Sequence, residues 1–299
     1  MNAMTLKWIV RSARRRWRDE PHLRAAAARV DGFLISYPKS GRTWLRYLLS
    51  CYFADLAELG FEPDLTTTFR VLPNFDRDSV RGIGAFTGNA KRDRMPLVLV
   101  SHLTYNSRLF LQRPVIFLVR DPRDVIVSAY FHATRHKKVF SGDIGAFLDD
   151  SSYGLPALFQ FLNGWADGLE DRRHIVVSYE HMLREPEEAV GAILSFLNVE
   201  KRSGLLRNAI AAAQFDRMRD KERDQGIPGH DYDRSDTLSL RMRSGKAGGH
   251  TEWLTPAQSA LILSRCQREL TPRARALLTK TEVDPTRAAI NSHADLAAV

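Results

Sequence analysis

The chain has 299 residues, 44% of them hydrophobic and 26% charged, with a formal net charge of +9 at pH 7. That length and apolar content exclude a disordered chain and one that needs covalent staples; they fit one large domain or two small ones. Cys51 and Cys266 are too few and too far apart for a disulfide scaffold; they are read as reduced thiols, with the cytoplasm as the expected location. No apolar run approaches the ~20 residues that cross a bilayer. The arginine-rich Met1–Glu20 segment lacks the uninterrupted apolar centre of a secretory signal.

In chain order, residues 1–30 read as a basic helical extension, interrupted near Pro21, that could rest on an anionic lipid surface. Residues 31–283 are the expected single domain and 284–299 a loose tail. Within the domain, Phe33–Tyr37, Leu97–His102, Pro114–Arg120 and His174–Tyr179 are short, nearly continuous apolar runs. This is the pattern of strands buried on both faces of a parallel sheet. After the first strand, Trp44, Leu45, Leu48, Leu49, Tyr52, Phe53 and Leu56 recur at helical spacing and form one apolar stripe. After the third, Asp121 suits an N-cap and Pro122 the first helical position, with Asp124 placed to complete a capping box; the helix should run to about Ala133. Glu187–Leu197 is the next helix, and another begins at Pro256. Residues 57–96, 134–165 and 219–250 read as long connections. Strands alternating with helices predict an α/β fold, a single doubly wound parallel sheet flanked by helices. Ligands bind such sheets at the carboxyl ends of the strands.

The sharpest local signal follows the first strand: Tyr37-Pro38-Lys39-Ser40-Gly41-Arg42-Thr43-Trp44. A helix N-terminus presents free backbone N–H groups and the positive end of its dipole, so it suits an anion. Gly41 allows close approach, Lys39 adds a full charge and Thr43 a hydroxyl. The loop is P-loop-like but not a Walker A motif, because the lysine precedes the glycine and no Mg²⁺-binding carboxylate ends another strand. The charge of +9 points to a polyanionic partner. A kinase-like nucleotide enzyme and a basic protein that binds anionic surfaces are the alternatives. No helix-turn-helix, finger or single-strand stacking platform is present, so nucleic acid is not expected as a partner.

The Tyr37–Trp44 run resembles the 5′-phosphosulfate loop of the sulfotransferases that use 3′-phosphoadenosine 5′-phosphosulfate (PAPS). Arg42 stands where that family often has threonine. Val119-Arg120-Asp121-Pro122-Arg123-Asp124 with Ser128 is similar to the family's 3′-phosphate site, and Val177-Ser178-Tyr179-Glu180 to the segment whose tyrosine meets adenine. Phe215 and Met218 match later adenine-pocket positions. Arg243-Ser244-Gly245-Lys246-Ala247-Gly248 resembles the Arg-Lys-Gly-x-x-Gly phosphate loop, with Ser244 for the usual lysine and Gly249-His250 for the usual Asp-Trp. The resemblance covers residues 31–270 and implies sulfuryl transfer from PAPS to an acceptor hydroxyl by in-line displacement. It implies that Lys39 stabilises the leaving group and that His102, at the end of the second strand, is the base. Ser40, Gly41, Arg42, Thr43 and Trp44 would contact the cofactor with Lys39; so would Arg120, Ser128, Tyr179, Phe215, Met218, Arg243, Ser244 and Gly245. His132 and His136 are weaker candidates for the base. No metal is expected. The acceptor is a glycan, a glycolipid or a small molecule; charges at Arg70, Asp76, Arg77, Asp78 and Arg81 favour a polar one. The glycines and the mutually repelling Arg241, Arg243 and Lys246 make residues 240–250 a candidate closing loop.

Overall fold

The computed structural model describes residues 19–281. Of the basic extension, only its end falls within them: residues 19–27 form helix α1, with Pro21 inside it. The rest of the extension and the tail from residue 284 lie outside the described residues. Four strands make one sheet: β1 (Gly32–Ser36), β2 (Val98–Ser101), β3 (Val115–Val119) and β4 (His174–Ser178). Their order is β2-β1-β3-β4 and every pairing is parallel, Leu34 lying opposite both Val100 and Ile116, and Ile116 opposite Ile175. Every residue of β1, β2 and β3 is buried, as the continuous apolar runs require; only β4, at the edge, is partly exposed.

Each strand stops one residue before its apolar run does. The residue that leaves the sheet is Tyr37, His102, Arg120 and Tyr179 in turn. The direction in which strands are added reverses at β1, since β2 lies on one side of it and β3 on the other. A crevice opens at such a switch point because neighbouring loops diverge there.

The remaining helices are α2 (Arg42–Leu56), α3 (Ser107–Phe110), α4 (Pro122–Phe131), α5 (Ile144–Phe147), α6 (Leu155–Leu169), α7 (Tyr179–Arg184), α8 (Pro186–Phe196), α9 (Ser203–Ala212), α10 (Phe215–Gln225), α11 (Pro256–Glu269) and α12 (Pro272–Leu278). On one sheet face Phe117 packs against Phe161 and Trp165 of α6, with ring centroids 6.1 and 6.0 Å apart; α6 in turn packs on α11 and α12. On the other, Gly32 faces Leu197 beyond α8, and α9 bridges α8 to α2. Among the described residues no helix is long and apolar enough to cross a membrane.

Three expectations need correction. Residues 134–165 are not one connection, because Leu155, Leu158, Phe159, Phe161 and Leu162 keep a helical stripe that buries as the start of α6. The 219–250 connection likewise begins inside α10, a helix of low hydrophobicity anchored by Met218 and Glu222. At α4, Asp121 caps the helix by accepting from Arg123 N at 2.9 Å, but Asp124 closes no capping box. Its carboxylate instead accepts from the backbone N–H groups of Gly248 and His250 at 2.9 and 2.8 Å. The α4 path also ends differently, in a π-helical turn over His132–His136. Such wide turns redirect side chains and recur at functional sites.

Candidate active site

A cavity of about 740 Å³ opens over the carboxyl ends of the strands, lined by Tyr37, His102, Arg120 and Tyr179 among others. The β1–α2 loop is shaped by two residues in left-handed backbone conformation, Lys39 (φ 74°) and Gly41 (φ 96°). Gly41 has no room for a side chain: an added Cβ would sit 2.4 Å from the Tyr179 ring. Helix α2 starts at Arg42; Trp44 N and Leu45 N donate to Gly41 O at 3.1 and 3.2 Å, while the N–H groups of Arg42 and Thr43, residues that line the cavity, make no backbone hydrogen bond among the described residues. Ser40 is the one predicted contact whose side chain does not line the cavity; it is buried, and its N–H turns back to Tyr37 O at 3.4 Å.

The Tyr179 ring is the hub of one half of the cavity. The Arg120 guanidinium lies 4.2 Å over it, and Trp44 meets it edge-on at 5.9 Å. Trp44 is pinned by donating from Nε1 to Ala213 O at 2.8 Å. Arg120 donates to Lys39 O at 3.2 Å and to Lys246 O at 3.1 Å, and so ties the ends of three loops together. Its Nε is buried without a partner, as is Nε of Arg243, whose guanidinium lies 4.6 Å over Phe131. Ser128, two turns into α4, Thr43, Met218 and Ser244 line the same cavity. Gly245 lies flat on Phe215, where a Cβ would approach the ring to 2.3 Å. The 240–250 loop is held at both ends: Glu222 accepts from Arg241 N and Met242 N at 2.8 Å each, and Asp124 holds Gly248 and His250.

His102 stands at the end of β2 facing the other half. Its Nδ1 lies 2.6 Å from Ser36 O, a carbonyl that can only accept, so Nδ1 carries the proton and Nε2 keeps its lone pair. Burial, then the nearby Arg42, hold its pKa well below the usual histidine value. The imidazole is therefore neutral at physiological pH and able to accept a proton at Nε2. Lys39 is pulled the same way: burial and the neighbouring Arg241, Arg120 and Arg243 lower its pKa to about 7. His132 lines the cavity from the π turn, while His136 sits behind it, bonded to Ser239 O and His230. Sequence reading passed over Arg46, Asn74 and His230, which also line the cavity, as does Arg81, one of the charges read as favouring a polar acceptor. Only Arg46 carried a local signal, four residues after Arg42 on one helix face.

A sulfotransferase domain family model matches residues 29–273. Sulfotransferase 2A6 of Mus musculus is 24% identical over 249 residues, 81% of this chain and 84% of the relative. The flavonol 3-sulfotransferase of Flaveria bidentis is 26% identical over 248 residues, covering 75% and 77%. Among solved structures, a mouse sulfotransferase complexed with PAP superposes with a TM-score of 0.55 at 22% identity, over 83% of this chain and 88% of that one. The chain belongs to the sulfotransferase family.

Proposed function

We propose that this enzyme transfers the sulfuryl group of PAPS to the hydroxyl of an acceptor, with the residues facing the cavity in the roles given below. One observation carries the reading. A half-buried lysine and a neutral histidine with a free Nε2, held at the ends of neighbouring strands, face a single cavity beside unpartnered guanidinium Nε donors. The residues fit the nucleotide. The buried Nε atoms of Arg120 and Arg243 need acceptors, which a phosphate supplies, and Gly41 and Gly245 let their loops lie directly against the Tyr179 and Phe215 rings.

PAPS supplies an activated sulfur whose bond to the bridging phosphate oxygen breaks as the acceptor oxygen bonds to it. The chain's work is positioning and charge stabilisation. The N–H groups of Arg42 and Thr43 at the start of α2, with the Thr43 hydroxyl, hold the 5′ end. Arg120, Ser128 and the Arg243–Gly245 loop hold the 3′-phosphate, and Trp44, Tyr179, Phe215 and Met218 form the base pocket. Lys39 places its ammonium against the charge that develops on the leaving oxygen. His102 Nε2 takes the acceptor's proton, and Ser36 O, by accepting from Nδ1–H, steadies the imidazolium that results. Transfer of radiolabel from PAPS to a panel of alcohols, phenols and glycans tests the reading. Label is expected on at least one class, with PAP (adenosine 3′,5′-bisphosphate) as coproduct and inhibitor. ATP binding as tightly as PAP would overturn it.

A further inference from the structure

The half of the cavity around His102 holds more positive charge than the nucleotide uses. Arg42 and Arg46 lie one turn apart on α2 and share a face. Arg46 is only 4% exposed. Its Nη2 donates to Asn74 Oδ1 at 2.6 Å and its guanidinium lies 4.6 Å over Phe69, yet its buried Nε has no acceptor. Arg42 makes no hydrogen bond or ion pair among the described residues. Arg46, Arg241 and Arg81 repel it and Asp76 offsets them; with burial they push its guanidinium well below the ordinary arginine value.

Arg241 reaches the same place from the opposite wall, and the structure shows it being aimed. His136 Nδ1 lies 3.0 Å from Ser239 O and must donate to it, leaving Nε2 as an acceptor. His230 Nδ1 therefore donates to His136 Nε2 at 3.2 Å. That leaves His230 Nε2 to accept from Arg241 Nη2 at 2.6 Å. The relay is satisfied only with both histidines neutral. Burial holds them there, with pKa values lowered to about 4 for His136 and about 3 for His230. A neutral relay fixes the guanidinium without cancelling its charge. Arg241 Nε, like that of Arg46, is buried and unpartnered. Asp76 and Glu222 offset these charges only in part, against three guanidinium groups; desolvated guanidinium groups short of anions are costly, and their planar forks match oxyanions.

We propose that the acceptor is an anionic alcohol, whose phosphate, sulfate or carboxylate group is bound by Arg42, Arg46 and Arg241 beside His102. The proposal rests on the sulfotransferase reading and adds to it the charge of the acceptor. A neutral hydroxyl compound would desolvate these guanidinium groups and pair none of them. In the step itself the acceptor oxygen bonds to sulfur and the bond from sulfur to the bridging oxygen breaks, its electron pair staying on PAP. The proton passes to His102 Nε2, so the product carries one more negative charge than the acceptor.

The test compares alcohols that differ by one anionic group: benzyl alcohol with 3- and 4-(hydroxymethyl)benzoate, glycerol with glycerol 3-phosphate, and glucose with glucose 6-phosphate. PAP affinity is measured first by calorimetry. With labelled PAPS, a charged member is expected to exceed its neutral partner in kcat/KM by about tenfold or more, the scale of a charge-assisted hydrogen bond. Arg241→Met and Arg46→Met should remove most of that preference while PAP affinity changes less than about threefold. Should either Met variant fail to fold, Arg241→Lys and Arg46→Lys keep the charge but lose the fork, and should lower kcat/KM for the charged member alone. If PAP binds and neutral members react as well as charged ones in every pair, the proposal is overturned. So it is if the variants lower both members equally. If PAP fails to bind the wild-type protein, the sulfotransferase reading falls and takes this proposal with it.

Discussion

Lys39 should gain a proton when the nucleotide binds. Burial and the surrounding Arg241, Arg120 and Arg243 lower its pKa to about 7 in the ligand-free protein. At pH 8 roughly nine in ten molecules therefore carry a neutral amine there. A bound anion favours the ammonium form, restoring the pKa toward the ordinary lysine value of about 10.4. The sign follows: binding draws in a proton, so affinity must fall as pH rises above about 7. The free lysine is charged in about half of the molecules at pH 7 and about one in eleven at pH 8, so PAP affinity should drop about fivefold over that unit. From pH 7 to 9 the drop should be about fiftyfold. Calorimetry at pH 8 in two buffers of different ionisation enthalpy reads the uptake directly, and about 0.9 proton per PAP is expected. The phosphates, with a second pKa of about 6, are already dianionic there and contribute little. His136 and His230, near 4 and 3, are too far below to contribute. Lys39→Met should abolish the uptake and flatten the pH dependence of binding. Uptake near zero in the wild-type protein, or retained in the variant, would refute the electrostatic picture of the loop.

Arg120→Ala should weaken PAP more than adenosine 5′-phosphate, which lacks the 3′-phosphate, by roughly 1.5–3 kcal/mol; equal losses would move the 3′-phosphate elsewhere. His102→Ala should lower turnover by about 10²–10⁴-fold and leave PAP affinity within about threefold, and a normal turnover number would mean another group takes the proton. Glu180, buried with one oxygen accepting from Asp121 N and the other unpartnered, has its pKa raised by burial to about 7. A raised carboxyl pKa costs stability as pH climbs from the unfolded value toward the folded one, so Glu180→Gln should gain on the wild type between about pH 4.5 and 7, by at most ~3 kcal/mol. Denaturant midpoints at both ends of that window measure it, and a pH-independent difference would contradict the burial of a titrating carboxyl.

What the sequence determined by itself was whatever a short stretch of chain encodes. Strands buried on both faces must be apolar throughout, so four runs marked the sheet and, by their ends, placed Tyr37, His102, Arg120 and Tyr179 at its carboxyl edge. The Lys39–Thr43 turn was legible because a left-handed glycine, a lysine and a helix start are neighbours in sequence, and the cap at Asp121 because it bonds two residues ahead. Asp124 shows where local reading stops: its spacing fits a capping box, but a loop more than a hundred residues downstream offers its carboxylate three N–H donors, and that environment wins. The charge state of the cavity was decided wholly by tertiary structure. Lys39, Arg42, Arg46 and Arg241 are ordinary basic residues in the sequence. Only the fold sets Arg241 beside the Lys39–Arg46 segment, removes the group from water and leaves its charges only partly offset by Asp76 and Glu222. Which nitrogen of His102 carries the proton was set in the same way, by the carbonyl of Ser36 on the neighbouring strand. Apolar periodicity is a property of consecutive residues, whereas desolvation and Coulomb repulsion sum over everything within a few ångströms, and that neighbourhood exists only once the chain has folded.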